Sequence, residues 1–493
     1  MLIIALALLA PCAAAAAPPP PYLVHARASA ARPAAWARTK CGTYHNLATQ
    51  PDLITQWGAT VSPASPPLCE YPRMQMQRPA STMTCLNGLW EFQLASAGDA
   101  PPFGLTLNQT IFVPFPLESC LSGAFRWPEY SKYMFYRLLL DAPAQPAGGQ
   151  TLLHFGAVDW NATVFMNGQL LGSHAGGYDG FSFTLPPLQP TNNELIVAVF
   201  DPTDSGFQVE GKQRVSAITS PGGDTYTPSS GIWSTVWLEA VSAYHISALK
   251  IRGDATALYL TASTSPTVPG TLSVSVSLGG APVATATGST FSELVIPIPS
   301  PSLWHPTTPT LYDVEVTATD PSSARSDTIT SYQGLRSVGL LNVTAPPTPA
   351  SGPRMGWDNS GGDMPGQPTV LPAADYNLCW ARCNSTPGCA AWSYGSNASG
   401  CEAQPLCWLK ATSESWGQNP CRVAGDMAAP GHPALRPSIN GQFTFLAGWL
   451  DQSWWSDGEY TAPTDDALRF DLQAVKDVGM NAVRLHQKVN SDR

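Results

Sequence analysis

The sequence predicts a multidomain, mainly β protein that closes on a β-α-β unit. Three observations lead there. The 493 residues hold 48 Pro and 41 Gly among many Thr, Ser and Val, a composition of strands and turns. From Cys85 onward, short alternating apolar runs recur between turn residues. After Arg436 the texture changes to apolar run, helical period, apolar run. At roughly 100–200 residues per domain, the length allows three or four domains.

Charged residues make up only 12% of the chain, against a usual value near 25%, and the net charge is −10. No Lys or Arg run offsets that balance. Nucleic acid and anionic membrane surfaces are therefore excluded as main partners.

The N-terminus reads MLIIALALLAPCAAAAAPPP. An apolar run from Leu2 to Ala10, then small residues with A-x-A choices, is a secretory signal pattern over 1–17, although it lacks a basic n-region. No other run approaches the roughly 18 apolar residues of a membrane span. Residues 18–80 are Pro- and Ala-rich and read as an extended arm.

Residues 81–244 form one all-β domain. YMFYRLLL (133–140), QTLLHF (150–155), GFSFTL (180–185) and NELIVAVFD (193–201) are strand candidates. Asn167-Gly168 between apolar runs marks a type I′ hairpin, because both residues tolerate positive φ. In residues 245–340, Leu272, Val274, Val276 and Leu278 alternate onto one face, with a turn at Gly279-Gly280. Some seven short strands in about 95 residues suit an immunoglobulin-like sandwich.

A Pro/Gly-rich linker leads to six clustered cysteines, Cys379, Cys383, Cys389, Cys401, Cys407 and Cys421, within a module spanning 353–425. With Cys41, Cys69, Cys85 and Cys120, ten cysteines follow the signal pattern. A module this small needs disulfides for stability. Six cysteines allow 15 connectivities, and sequence does not choose among them. The absence of CxxC and of His from the segment argues against zinc, and no metal or cofactor is expected. Sequons stand at Asn108, Asn161, Asn342, Asn384 and Asn397. Clustered cysteines, sequons and a signal pattern together predict a secreted or endomembrane-lumen glycoprotein.

In residues 436–493, QFTFLAGWL (442–450) reads as a near-continuous buried strand. PTDDALRFDLQAVKDVGM (463–480) reads as a helix capped by Thr464, with Leu468, Leu472, Val475 and Val478 at helical spacing and Gly479 ending it. NAVRL (481–485) is a second buried strand. A β-α-β unit implies parallel strands and a right-handed crossover.

These segments carry a resemblance. EYPRMQMQR (70–78) with LNGLWEF (86–92), HFGAVDWNATVFMNGQLLGSHAGGYDGFSF (154–183), GIWSTVWLE (231–239), LWHPTTPTLYDVEV (303–316) with GLRSV (334–338), and the stretch from Ile439 to Val489 resemble, in order, the N-terminal half of a family 2 glycoside hydrolase. That broad group contains β-galactosidases, β-glucuronidases and β-mannosidases. The resemblance implies a jelly-roll sugar-binding domain, an immunoglobulin-like sandwich and the start of a (β/α)8 barrel. The cysteine cluster, foreign to that family, resembles a PAN/Apple module, which binds proteins or carbohydrates.

The resemblance also implies a retaining hydrolase of O-glycosyl bonds working with two carboxyl groups about 5 Å apart. In the family these are a Glu of an Asn-Glu pair after the fourth barrel strand and a Glu after the seventh. The 58 residues from Arg436 to Arg493 fall short of the roughly 250 of a whole barrel. Hence the expectation of an incomplete chain, inactive alone, without catalytic residues of its own. Substrate-binding roles fall to Asp451, Arg484 and His486, at the C-terminal ends of the two strands. Arg484 matches the family's arginine after strand two. Leu485-His486-Gln487 departs from the Ser-His that many members carry there. Asp451 stands where many carry Asn-Arg-His. Asp457 and Glu459 read as loop residues near the barrel mouth, Asp159 and Asp179 as turn residues, and Trp449, Trp454 and Trp455 as packing or sugar-stacking residues. The rival expectation is a secreted carbohydrate- or protein-binding protein without catalysis.

Overall fold

The computed structural model describes residues 4–5, 54–124, 133–220, 222–343, 352–413, 415–427, 434–452 and 454–486. Apart from Ile4–Ala5, the signal stretch lies outside these residues, as do Cys41 and the first part of the arm. The chain divides into two compact units, one of residues 1–337 and 446–493, the other Val338–Phe445.

The first unit opens with a two-sheet sandwich. Its six-stranded sheet runs, in spatial order, Gln109–Val113, Gly88–Ala95, Tyr133–Leu140, Asn193–Phe200, Asn161–Met166, Gln169–Ala175. The facing four-stranded sheet runs Phe181–Thr184, Gln150–Phe155, Val236–Val241, Met83–Cys85. All pairings in these two sheets are antiparallel. Alternation puts Trp90, Phe92, Tyr136, Val164, Leu195, Val197 and Leu238 into one core between the sheets. The expected hairpin is present, with φ of 52° at Asn167 and 79° at Gly168.

The second sandwich has the expected seven strands. Three (His245–Gly253, Ala257–Ser265, Leu294–Pro297) face four (Ala281–Ser289, Thr271–Leu278, Tyr312–Thr319, Ser326–Gln333). Leu272, Val274 and Val276 are buried in its core with Val314, Val316 and Ile329. The turn at Gly279-Gly280 has positive φ at both residues.

The arm reading fails for residues 54–80. Val61, Leu68 and Met76 are buried, Cys69 is bonded to Cys85, and Gln77 bridges Thr330 on the second sandwich. Charge explains the packing. Arg78 Nε and Nη2 donate to Asp327 at 3.0 and 2.7 Å, and its Nη2 also donates to Ile246 O at 2.6 Å. Its Nη1 pairs with Glu239 of the first sandwich at 3.0 Å. Arg73 and Tyr71 bind the same fully buried Glu239. This ionic knot straps the two sandwiches together through a segment whose composition suggested a linker.

In the second unit, helix Tyr376–Asn384, capped by Asp375, packs on a five-stranded sheet ordered Arg354–Asn359, Trp416–Asp426, Ala391–Gly395, Leu406–Lys410, Thr369–Val370. The cysteine cluster resolves as Cys379–Cys407, Cys383–Cys389 and Cys401–Cys421. The first ties helix to sheet in a core with Trp392 and Leu409. A separate ribbon pairs Val338–Val343 with Ala434–Ile439, which pairs in turn with Gln442–Phe443.

The last segment of the first unit is a β-α-β unit. Gly448–Asp451 and Ala482–Leu485 pair in parallel, connected by helix Asp465–Asp477. Thr464 caps the helix by accepting from Ala467 N, acids fill its first turn, and Gly479 takes a φ of 82°. Two details differ from expectation. The apolar run 442–450 is not one buried strand: the turn at Asn440-Gly441, both at positive φ, commits Gln442–Phe443 to the ribbon hairpin, and only Gly448–Asp451 joins the parallel pair. Val478 is exposed beyond the helix end, while Ala467 and Val475 are the buried positions. The backbone of Ile4–Ala5 pairs antiparallel with Val483–Arg484 on the other edge.

Candidate functional site at the ends of the parallel strands

Register decides which side chains share a face here. Leu450 pairs with Arg484 and Asp451 with Leu485, so Leu450 and Arg484 lie on one face and Trp449, Asp451, Val483 and Leu485 on the other. The second face is the helix side: Val483 is buried, and the charge of Asp451 helps burial raise the pKa of Asp471 on the helix. Leu450 and Arg484 are exposed on the opposite face. The three expected sugar-binding residues are thus adjacent in space but divided between faces.

The strand ends are fixed to each other by His486 N donating to Asp451 O at 2.9 Å. One residue past each strand, the alternation places Gln452 beside His486, on the face of Leu450 and Arg484. Gln452 Oε1 and His486 Nδ1 are both buried without a hydrogen-bond partner. Buried polar atoms normally find partners, and these two stand at the ends of neighbouring strands. The sequence expectation named Asp451, Arg484 and His486 and did not include Gln452. Counting alternation forward from Leu450 would have found it.

The acids near this end are occupied elsewhere. Asp457 Oδ2 accepts from Thr55 N and Oγ1, both at 2.8 Å, and its carbonyl accepts from Ser119 Oγ at 2.6 Å. Burial pushes its pKa up, against those hydrogen bonds. Glu459 accepts from Trp454 Nε1, and burial, with the charges of Glu118 and Asp457, holds its pKa well above the usual carboxylate range. The loop 454–463 therefore docks on the first sandwich. Tyr460 sits among Tyr178, Trp233 and Trp454, with its hydroxyl 3.0 Å from that of Tyr178. Thr461 Oγ1 donates to Pro114 O at 3.0 Å. Trp454 is held between Tyr226 and Tyr460, at ring distances of 4.7 and 4.3 Å, and Trp455 packs on Trp57. These two tryptophans pack rather than present a free ring. Trp449 keeps a buried, unpartnered Nε1 on the helix side.

Across this seam lies a set of buried carboxyl groups. Glu118 accepts from Ser230 N at 2.7 Å, and burial, aided by the charge of Asp201, pushes its pKa up to about 8. Asp159 accepts from Gln213 Nε2 at 2.8 Å, and burial followed by the charge of Asp201 raises it as well. Asp159 is a core group and not a surface turn residue. A cleft lined by Trp304, Pro306, Pro309, Leu472, Val475 and Met480 opens at the N-terminal end of Ala482–Leu485, away from Arg484 and His486. Without an acid in its lining, it is a packing seam of helix against sandwich. Among the described residues no group of three or more His, Cys, Asp or Glu is placed to hold a metal ion, and no helix is long and apolar enough to cross a membrane.

Residues 249–336, the second sandwich, match the model of the glycosyl hydrolases family 2. That match covers the second sandwich alone. Residues 357–410 match the PAN domain model, in the module with the three disulfides. A putative β-glucuronidase of Formosa agariphila is 33% identical over 100 residues, 20% of this chain and 11% of that protein. A β-glucuronidase of Streptococcus agalactiae is 23% identical over 114 residues, 23% of this chain and 18% of that one. A β-galactosidase of Thermoanaerobacter pseudethanolicus is 27% identical over 123 residues, 25% and 16% of the two chains. The chain thus spans less than a fifth of the length of each of these curated relatives. Among solved structures, the β-glucuronidase of Ruminococcus gnavus in complex with D-glucuronic acid aligns over 55% of this chain and 49% of its own, at 19% identity and a TM-score of 0.44.

Proposed function

We propose that these residues form the sugar-binding side of a family 2 glycoside hydrolase, with a β-glycoside as substrate. Gln452, Arg484 and His486 contact the sugar, and Asp451 steadies the strand end from the helix side through its carbonyl. Arg484 supplies a fixed positive charge, suited to a carboxylate on the nucleophile or on a uronate. The observation that carries the reading is the pair of buried, unpartnered polar atoms, Gln452 Oε1 and His486 Nδ1, at the C-terminal ends of two parallel strands.

The same arrangement supports a second part of the proposal: these 493 residues do not hydrolyse glycosides alone. Retaining hydrolysis needs two carboxyl groups about 5 Å apart, flanking the bond. Asp451 faces the helix, and Asp457 and Glu459 are held in the seam with the first sandwich. On this reading the described strand ends supply no catalytic pair. The assay is turnover of aryl β-glucuronides and β-galactosides by the purified 493-residue chain. No turnover above buffer is expected. Turnover that survives repurification and disappears with Asp457→Asn or Glu459→Gln would overturn this part.

A further inference from the structure

We propose that an N-linked glycan on Asn342 folds over the apolar face of the ribbon made by Val338–Val343 and Ala434–Ile439, and shields that face from water. The proposal stands apart from the hydrolase reading and rests on register. Val338 pairs with Ile439, Leu340 with Pro437 and Asn342 with Leu435, so these six residues share one face. Val338, Leu340 and Leu435 are 68%, 63% and 60% exposed, Asn342 and Pro437 are exposed beside them, and Ile439 alone of the six is buried. Arg436 and Leu341 lie on the other face, so no charge interrupts the strip.

Exposed aliphatic side chains in a contiguous row on an edge strand are a template for self-association. Native edges normally carry a charge, a bulge or a cover. Two polar residues share this face: Gln442, which pairs with Ile439 at one end of it, and Asn342 at the other, which opens the sequon Asn342-Val343-Thr344. The strip runs from Asn342 to Val338, about 13 Å at the strand's rise per residue, within reach of the first sugars of a glycan. The C–H faces of those sugars suit Leu435, Leu340 and Pro437, while their hydroxyls face water. Another exposed sequon of this unit differs: Asn397 lies among Ser396, Ala398, Ser399 and Gly400, and has no such row to cover.

The test uses the 493-residue chain secreted from a glycosylating eukaryotic host. Peptide mass mapping reads occupancy at Asn342. Hydrophobic-dye fluorescence and sedimentation velocity read the exposed face, on the wild type, on Asn342→Gln, on Asn397→Gln, and on Asn342→Gln combined with Leu340→Ser and Leu435→Ser. Enzymatic removal of glycans from the folded protein supplies the comparison should Asn342→Gln fail to be secreted. The expected result is an occupied Asn342, a several-fold rise in dye signal and self-association on its loss, no change for Asn397→Gln, and return to baseline in the triple variant. An unoccupied Asn342, an unchanged dye signal after its glycan is lost, or a triple variant that still associates would each overturn the proposal.

Discussion

At the residue scale, Arg78 shows how a single side chain sets architecture. It is buried, yet its guanidinium meets Asp327, Glu239 and a carbonyl, and those partners belong to different sandwiches. Removing one partner of a buried pair leaves the other charge uncompensated, which costs about 3–5 kcal/mol. Arg78→Met should therefore lower the unfolding free energy by about that amount. Arg252→Met, which breaks the exposed pair with Glu293, should cost less than about 1 kcal/mol. Urea titration of both variants checks the contrast, and equal effects would refute it. The sequence does not reveal this knot. The charges sit 161 to 249 residues apart from Arg78, in a segment whose Pro-rich texture resembles a linker. What the sequence does reveal at this scale is that Arg484 and His486 share a side of the last strand, since alternation within one short strand is a local property. Gln452 was not named because only the residue closing its strand, Asp451, was considered there.

At the element scale, local patterns predicted most strands and the terminal helix, whose cap, acidic first turn and terminal glycine are all written within 17 residues. The errors fall where an element's fate is set by distant partners. The run 442–450 is apolar throughout, but a positive-φ turn at Asn440-Gly441 gives its first residues to a hairpin and its last to a parallel pair. The loop 454–463 looks like a barrel-mouth loop in sequence, and its aromatic residues dock instead on the first sandwich. That seam carries a pH dependence. Glu118 is buried with its pKa pushed up to about 8, so the folded state holds its proton more tightly than the unfolded chain does. Its contribution to stability is complete below an unfolded value near 4.3 and is lost as pH rises to about 8, on the order of a few kcal/mol. Thermal unfolding of the wild type should fall in midpoint across that window. Glu118→Gln, neutral at every pH, should flatten the fall, and an unchanged slope in the variant would contradict the assignment.

At the scale of the whole molecule, the order of parts was legible because each part carries its own motifs: two sandwiches, a disulfide module, then parallel strands joined by a helix. The family 2 and PAN matches fall on two of these parts. The disulfide pairing was not legible, since 15 connectivities share one spacing, and helix packing against the sheet settles it in space. The central claim is that sugar recognition resides on the face of Gln452, Arg484 and His486. The most direct measurement is a calorimetric titration of the 493-residue chain with methyl β-glucuronide and methyl β-galactoside, repeated on Gln452→Ala, His486→Ala and the distant Lys410→Gln. The account predicts binding of at least one glycoside, weakened at least tenfold by either strand-end variant and unaffected by Lys410→Gln. Binding that survives both strand-end changes, or no binding of either sugar by the wild type, would contradict it.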